Sequence, residues 1–88
     1  MTAFEARVEV AHRPGIADPA GATVERALPA LGYTNVTQVH LGKVIRLVVE
    51  AADAAVARAQ VDEMCERLLA NPVIESYGVE ISALEHAP

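Results

Sequence analysis

Aromatic side chains are nearly absent from the sequence, which has one Phe, two Tyr and no Trp among 88 residues. The core must therefore be built from Val, Leu, Ile and Ala, which bury less area per side chain than large aromatic residues do. A domain of this length also buries only about 60–65% of the surface that its unfolded chain exposes. Both properties favour self-association as a further source of buried surface.

Cysteine, basic charge and long apolar runs are also scarce. The single cysteine, Cys65, excludes an internal disulfide and a zinc site built from several thiolates. The formal net charge is −5 and the basic residues are scattered, which argues against nucleic-acid binding. No apolar run approaches the ~20 residues that cross a bilayer, and the N-terminus lacks the basic start of a signal peptide. We expect a cytoplasmic protein with neither nucleic acid nor membrane as a partner.

The pattern of the chain predicts a single domain over residues 1–88, because it shows no internal repeat and no segment with the composition of a linker. Apolar and charged residues alternate from Phe4 to His12, which is the period of a half-buried strand with one wet face. This is the first predicted element.

A restrained loop follows this strand. Pro14-Gly15 supplies a fixed φ and then a residue that tolerates positive φ, which is typical of a type II turn. Asp18 supplies an N-cap oxygen, and Pro19 suits the first helical position because its missing N–H is not needed there. We therefore expect a helix to begin at Pro19.

The first helix should present an apolar stripe and end near Gly32. Gly32 is well placed for the left-handed residue that closes a helix. Pro29 lacks the N–H that would reach Glu25 and its ring crowds that turn, so we expect a kink or an early end. The stripe has helical spacing and comprises Val24, Ala27, Leu28 and Leu31.

Two geometries compete for residues 36–50. The apolar residues share one parity through this segment, which favours one long strand bent or bulged at Gly42. A hairpin with a tight turn at Gly42-Lys43 is the alternative, and it would place the apolar residues of the two arms on opposite faces. We prefer the bent strand.

A second helix and a last strand complete the pattern. Asp53 can cap a helix that runs to about Ala70 and ends at Asn71-Pro72, since the residue before proline is pushed out of the helical region. Its predicted inner stripe comprises Ala57, Val61, Met64, Cys65, Leu68 and Leu69. The predicted inner face of the last strand comprises Val73, Tyr77, Val79 and Ile81. The order predicts an α+β two-layer sandwich, β-α-β(β)-α-β, with two helices on one face of a three- to four-stranded antiparallel sheet.

No group of residues has the spacing of a catalytic or metal site. His12 ends a strand, His40 is placed in mid-strand with no paired carboxylate, and His86 lies in the C-terminal tail, without HExxH or HxH spacing. Cys65 lies on the inner helix stripe, where burial makes a thiol a small apolar group. The acidic residues of that helix are interpreted as its solvent-exposed face. The glycines do not have the spacing of a phosphate-binding loop. The residues therefore favour a small domain that works by binding other molecules and not by catalysis.

Three stretches together resemble the PurS family, the small subunit of phosphoribosylformylglycinamidine synthase. They are "GIADPAG" at 15–21, "LGKVIRL" at 41–47 and "VDEMCERLLANPVIESYGVEI" at 61–81. The resemblance covers about residues 4–84, with all three stretches in the order and spacing of the family. Asp-Pro followed by glycine is a weak signal alone, whereas the third stretch in register with it is specific.

The resemblance implies a non-catalytic subunit in de novo purine biosynthesis. Such a subunit is expected to form a homodimer or homotetramer and to bridge a glutaminase subunit (PurQ) and a synthetase subunit (PurL), supporting ammonia transfer between their active sites. The complex would use ATP, Mg and glutamine, with no cofactor bound by this subunit. The alternative is a small ligand-sensing regulatory dimer resembling amino-acid-binding domains, which also pair helices with an antiparallel sheet.

The resemblance also implies a set of interface or scaffold positions, for each of which the simpler alternative is turn or capping geometry. Cys65 has no claim to be the glutaminase nucleophile, because that cysteine belongs to another subunit of the complex. The candidate positions are Asp18, Pro19, Gly21, Gly42, Lys43, Asn71, Pro72 and Glu75.

Overall fold

A computed structural model describes residues 1–84 and places three antiparallel strands in one open sheet within that range. The strands are β1 (Thr2–His12), β2 (Gly42–Ala51) and β3 (Glu75–Ala83), in the spatial order β2-β1-β3. Two helices, described below, accompany this sheet, and the longer one packs against it, so the predicted α+β class is confirmed. The central strand is the first in the chain, and both later strands pair with it.

The core lies under β1, as the alternation of its residues predicts. Phe4, Ala6, Val8 and Val10 are buried, while the intervening residues face the other side of the sheet. Val8 pairs with Ile45 of β2 and with Val79 of β3, so apolar side chains meet across all three strands.

Helix α1 (Pro19–Ala27) begins at the predicted proline and stops before Pro29. A 3₁₀ turn (Leu28–Leu31) carries the chain on to Gly32, which adopts the left-handed φ of 97° that closes the helix. The early end is therefore confirmed, since a 3₁₀ turn accommodates a proline that the α-helix interior does not.

Helix α2 (Ala54–Met64) covers the sheet and carries most of the helical contribution to the core. Asp53 caps it as predicted, accepting a 2.9 Å hydrogen bond from the Val56 N–H. A π-helical turn (Cys65–Leu69) extends it, with the Ala70 N–H donating to the Cys65 carbonyl at 3.0 Å. Within residues 1–84, no helix is long and apolar enough to cross a membrane.

The buried stripe of α2 is narrower than the sequence predicted. Ala57, Val61 and Cys65 are fully buried at i, i+4 and i+8. The predictions for Met64 and Leu68 are wrong, because these residues are 36% and 82% exposed. A single helix resting on a three-stranded sheet buries one row of side chains, and positions one residue before that row fall on its flank.

The apolar stripe of α1 is largely uncovered. Val24 is 40% exposed and Leu31 is 72% exposed, while Gly21 is the residue of α1 that is buried. The molecule is elongated, with extents of 52 × 30 × 15 Å. The α1 half of the chain thus presents apolar surface that its own sheet does not cover.

Residues 36–41 form neither of the two geometries considered for them. The strand begins only at Gly42, so both the long bent strand and the hairpin are wrong. Gln38 has a φ of 57°, which interrupts an extended path. The N–H groups of Val39 and Leu41 are bound instead by carboxylates of the α1 region. Most apolar residues before and after this break lie at odd-numbered positions alike, and this shared spacing is why the sequence favoured one continuous strand.

The last strand starts later than its apolar pattern suggested. Tyr77, Val79 and Ile81 are half-buried and pack against the core, as predicted. Val73 precedes the strand and is 80% exposed, so its predicted place on the inner face is wrong. It belongs to a turn that starts at Asn71 and whose hydrogen bonds end at Glu75.

Candidate functional site: the β1 end of the sheet

All of the interface candidates lie at one end of the sheet, where β1 finishes and both β2 and β3 begin. We call this region the β1 end. Ala11 pairs with Gly42, and His12 pairs with Glu75. The helix α1 starts here as well, through contacts of Asp18 described next. The fold therefore gathers three separated sequence stretches, which supply Asp18, Pro19, Gly21, Gly42, Lys43, Asn71, Pro72 and Glu75.

Asp18 is the polar centre of the β1 end. Its side chain is only 6% exposed. One carboxylate oxygen accepts a 2.9 Å hydrogen bond from the Gly21 N–H, which caps α1, and the other accepts a 2.9 Å hydrogen bond from the Leu41 N–H. These backbone donors hold the pKa of Asp18 below its ordinary value. A single side chain thus fixes both the start of a helix and the approach to β2.

Two further contacts hold the segment before β2 against α1. The Glu25 carboxylate accepts a 2.9 Å hydrogen bond from the Val39 N–H. His40 Nδ1 lies 3.4 Å from the second oxygen of Asp18, so the expectation of a mid-strand His40 without a neighbouring carboxylate is wrong. The His40 side chain is 71% exposed, which leaves it accessible on the surface.

Gly21 and Gly42 are required by close approach of backbone. A Cβ on Gly21 would lie 2.5 Å from the Val39 carbonyl oxygen and 2.5 Å from a carboxylate oxygen of Asp18. A Cβ on Gly42 would lie 2.6 Å from the Val10 carbonyl oxygen. All three distances are shorter than real contacts of this kind, so the absence of a side chain at Gly21 and Gly42 serves packing within the β1 end.

The turn from Asn71 to Glu75 is held by its own polar groups. The Glu75 carboxylate accepts a 2.7 Å hydrogen bond from the Asn71 N–H, and the Asn71 side-chain oxygen accepts one of 3.1 Å from the Val73 N–H. Arg13 adds a 3.1 Å bond from its Nε to the Pro72 carbonyl. Bonds within the chain therefore fix the turn.

A shallow cavity of about 240 Å³ opens at the β1 end. Lys43 lines it and makes no salt bridge within the described part of the chain. His12 also lines it, with its Nδ1 shielded from solvent and without a hydrogen bond from residues 1–84. The lining is otherwise mostly apolar, and it includes Val10, Ala20 and Leu41. Such a surface suits contact with another protein better than bond-making chemistry.

Cys65 and Tyr77 are accounted for by packing and hydrogen bonding within the fold. Burial raises the pKa of the Cys65 thiol, as expected for a thiol in the core. Tyr77 donates a 3.0 Å hydrogen bond to Glu66, which raises the pKa of Tyr77 to about 12. Residues 1–84 contain no cluster of three or more side chains that could hold a metal ion. His86 lies outside the described residues.

Sequence reasoning missed Glu25 and Arg13 as organising residues of the β1 end. Glu25 reaches a backbone N–H fourteen residues away, and Arg13 bonds a carbonyl fifty-nine residues away. Neither contact has a local spacing signal, because both depend on how distant elements meet. Only the folded chain brings them together.

Replacing Asp18 by Asn is expected to reduce the loss in the free energy of unfolding that the parent chain shows as the pH falls into the acid range. Because the pKa of Asp18 is held below 3.8 in the folded state, the unfolded chain takes up the proton first as the pH falls. The stabilisation that Asp18 provides is therefore present above pH 3.8 and is lost as the pH falls through the folded-state pKa. Urea unfolding between about pH 7 and about pH 2 measures the difference.

Glu50→Gln is the matched control for Asp18→Asn, because the Glu50 side chain is exposed and accepts no hydrogen bond from the described residues. This variant should keep the acid dependence of the parent chain. An Asp18→Asn chain with an unchanged acid limb would contradict the role of Asp18 as an anchored carboxylate.

Comparison with known proteins gives one consistent result along the sequence. Residues 5–83 match the model of the family described as PurS, phosphoribosylformylglycinamidine (FGAM) synthase. The PurS subunit of this synthase from Synechocystis is 51% identical over 96% of the chain and 84% of that relative. The corresponding subunit from Methanocaldococcus jannaschii is 37% identical over 93% of the chain and 99% of that relative.

Solved structures agree with the sequence comparisons. A structure of PurLQS from Thermotoga maritima contains a 39% identical chain that matches with a TM-score of 0.85, covering 93% of this chain and 100% of that one. The crystal structure of M. jannaschii PurS, 35% identical, matches with a TM-score of 0.83, covering 93% of this chain and 99% of that one.

Proposed function

This chain belongs to the PurS family, the small subunit of phosphoribosylformylglycinamidine synthase in purine biosynthesis, and we propose that it acts by bridging the two other subunits of that enzyme. In this role the chain positions a glutaminase subunit against a synthetase subunit. Ammonia released at one active site then reaches the other without loss to water. The contribution of the chain is assembly and sequestration.

The single observation that carries the proposal is the match to a complete chain of the PurLQS structure. The match covers the whole of that chain at 39% identity. PurLQS is named for the assembled subunits, and a chain with the same fold is expected to take the same place among them.

The β1 end supports a role in contact because its backbone is ordered in advance. Asp18 joins two elements, and the turn from Asn71 to Glu75 is closed by side-chain bonds. Groups that are already fixed lose less entropy on docking, so more of the contact energy remains as affinity. We propose this region as part of the surface that meets a partner subunit.

The chain is also proposed to form a homodimer or homotetramer. The α1 stripe is apolar and uncovered, with Leu31 at 72% exposure. An elongated chain of 88 residues has little core of its own, and a second copy would cover this stripe. Sedimentation equilibrium of the purified chain measures the mass, and a strictly monomeric species at all concentrations would contradict this part of the proposal.

The ligands of the reaction are assigned to the other subunits. We expect ATP, Mg²⁺ and glutamine to bind the synthetase and glutaminase subunits, with this chain binding none of them, and we expect the complex to work in the cytoplasm. The alternative, a ligand-sensing regulatory dimer, is not favoured, because the family model and the relatives described above all carry the PurS identity.

Mixing the chain with the synthetase and glutaminase subunits tests the proposal. In the presence of glutamine, ADP and Mg²⁺, the three are expected to elute from a sizing column as one larger species. Replacing the chain by an unrelated acidic domain of similar size is the control. Failure of the chain to join either partner under these conditions would overturn the proposal.

A further inference from the structure

A long stretch between β1 and β2 contributes no side chain to the core. The buried and half-buried apolar residues that pack together come from the three strands, from α2 with its π-helical turn, and from Ala70. None of them lies in residues 14–41, where Gly21 is the one buried residue. We call residues 14–41, which comprise α1, the 3₁₀ turn and the segment before β2, the α1 arm.

The polar contacts of the α1 arm are made within the arm. The carboxylates of Glu25 and Asp18 accept 2.9 Å hydrogen bonds from the N–H groups of Val39 and Leu41, and so tie the returning segment to α1. In the described part of the chain, its other hydrogen bonds and ion pairs also stay inside the arm or reach Arg13 at its base. The arm is therefore held by bonds to itself and by the chain at its two ends.

The α1 arm stands away from the rest of the molecule. The radius of gyration is 16.9 Å, whereas a compact chain of this length has one of about 12 Å. The cavity of about 240 Å³ lies at the junction, between Ala20 and Leu41 of the arm and the end of β1. At the same junction His12 Nδ1 is shielded from solvent without a hydrogen bond from residues 1–84, and a polar atom left unpaired weakens the packing around it.

A unit built in this way has little to offset the entropy that it loses on folding. Each ordered residue gives up backbone freedom, and apolar burial is the main compensation. With nine residues, α1 is also shorter than the about 12–15 residues at which isolated helices persist in water. Regions with few buried apolar contacts open at a lower free energy than the core does, and they open as cooperative units.

We infer that the α1 arm opens and closes as one unit while the sheet and α2 stay folded, with the carboxylates of Asp18 and Glu25 as its latch. The structure shows the closed form. The arm is anchored at its two ends, because the Arg13 N–H donates to the Ile74 carbonyl at 2.8 Å and Gly42 pairs with Ala11. The inference concerns this chain alone and does not depend on the proposed function.

Opening of the arm would take the β1 end apart. Asp18, Pro19 and Gly21 belong to the arm, whereas Lys43 and Glu75 stay with the strands. The β1 end exists as one surface only in the closed form, so anything that binds this surface also holds the arm closed. A second copy lying on the α1 stripe would act in the same direction.

Native-state hydrogen exchange of the full chain tests the inference, at urea concentrations below the unfolding transition. We expect the arm amides to exchange roughly tenfold faster or more than the slowest amides of β1 and α2. They should share one opening equilibrium with a smaller dependence on urea, because opening the arm exposes less surface than global unfolding. The reporters, all hydrogen-bonded inside the arm, are the amides of Gly32, Tyr33, Val39 and Leu41.

Glu25→Ala removes one half of the latch. We expect the Tyr33 amide, which donates to the Leu28 carbonyl and not to Glu25, to exchange faster together with the Val39 amide, while the core amides keep the rate of the parent. Arg26→Ala is the matched control, because it changes the neighbouring side chain of the same helix, which bonds only Thr23 within the described residues. It should leave both groups of amides near the parent.

Two results would overturn the inference. Arm amides that exchange at the rate and with the urea dependence of the core would show that the chain opens only as a whole. Faster exchange confined to Val39 in Glu25→Ala would show that the contact is local and that the arm is not one unit.

Discussion

Gly21→Ala is expected to be among the most destabilising single-methyl changes in this chain. The added Cβ would meet the Val39 carbonyl oxygen and a carboxylate oxygen of Asp18, each at 2.5 Å. Neither can retreat freely, because the same carboxylate oxygen of Asp18 that would be displaced binds the Leu41 N–H. Overpacking of this kind costs about 1–3 kcal/mol, even though alanine is the better helix former by roughly 1 kcal/mol.

Urea unfolding of Gly21→Ala measures that loss, and hydrogen exchange locates it. The Leu41 amide should exchange faster because the Asp18 carboxylate that binds it is pushed away, and the Val39 amide because its own peptide is displaced from Glu25. Gly78→Ala is the matched control, since nothing lies within 4 Å of its added Cβ. That change should stay within about 0.5 kcal/mol of the parent. Equal stability of the two variants would contradict the close packing of α1 on residues 36–41.

Val61→Ala is expected to remove a large part of the stability of the fold. Val61 is fully buried in the single row by which α2 meets the sheet. The change deletes buried methyl groups and leaves a cavity, which together cost about 1.5–3 kcal/mol. Because the core contains few large side chains, neighbouring residues cannot readily shift to fill the cavity left by the Val61 methyl groups.

Val56→Ala makes the same chemical change on the exposed side of α2, where Val56 is 40% exposed. Any gain in helix propensity is common to both variants, so their difference isolates burial. Thermal or urea unfolding should show Val56→Ala near the parent and Val61→Ala far below it. Similar losses for the two would mean that α2 does not rest on the sheet through the Val61 row.

Local rules were enough to predict the elements whose determinants lie close together in sequence. Asp18 and Asp53 cap helices because a side-chain oxygen reaches an N–H three residues on. Gly15 has a φ of 85° in the turn predicted for Pro14-Gly15, with the Ile16 N–H on the Arg13 carbonyl at 3.1 Å. The alternation of β1 gave its buried face directly.

The errors arose where a distant side chain competed with a local pattern. In segment 36–41, Val39 and Leu41 alternate with polar residues as they would in a strand. Their N–H groups nevertheless donate to the carboxylates of Glu25 and Asp18 and not to a neighbouring strand. Met64 and Leu68 fit a helical stripe, yet the sheet is too narrow to cover their flank. Apolar periodicity alone does not separate a core-facing residue from one that stays exposed on the flank of a helix.

The candidate positions came from family resemblance, and the fold explains why they belong together. Asp18, Gly42 and Glu75 are far apart in the chain but meet at the β1 end. The packing roles of Gly21 and Gly42 follow from distances to distant backbone, which spacing alone does not reveal.

The most direct test of the bridging role is the rate of product formation by the synthetase and glutaminase subunits with and without this chain. Glutamine and free ammonia are supplied in separate assays. The bridging account predicts that omitting the chain sharply lowers the glutamine-dependent rate and leaves the ammonia-dependent rate unchanged, because only the first needs ammonia to pass between subunits. A glutamine-dependent rate that is the same without the chain would contradict it.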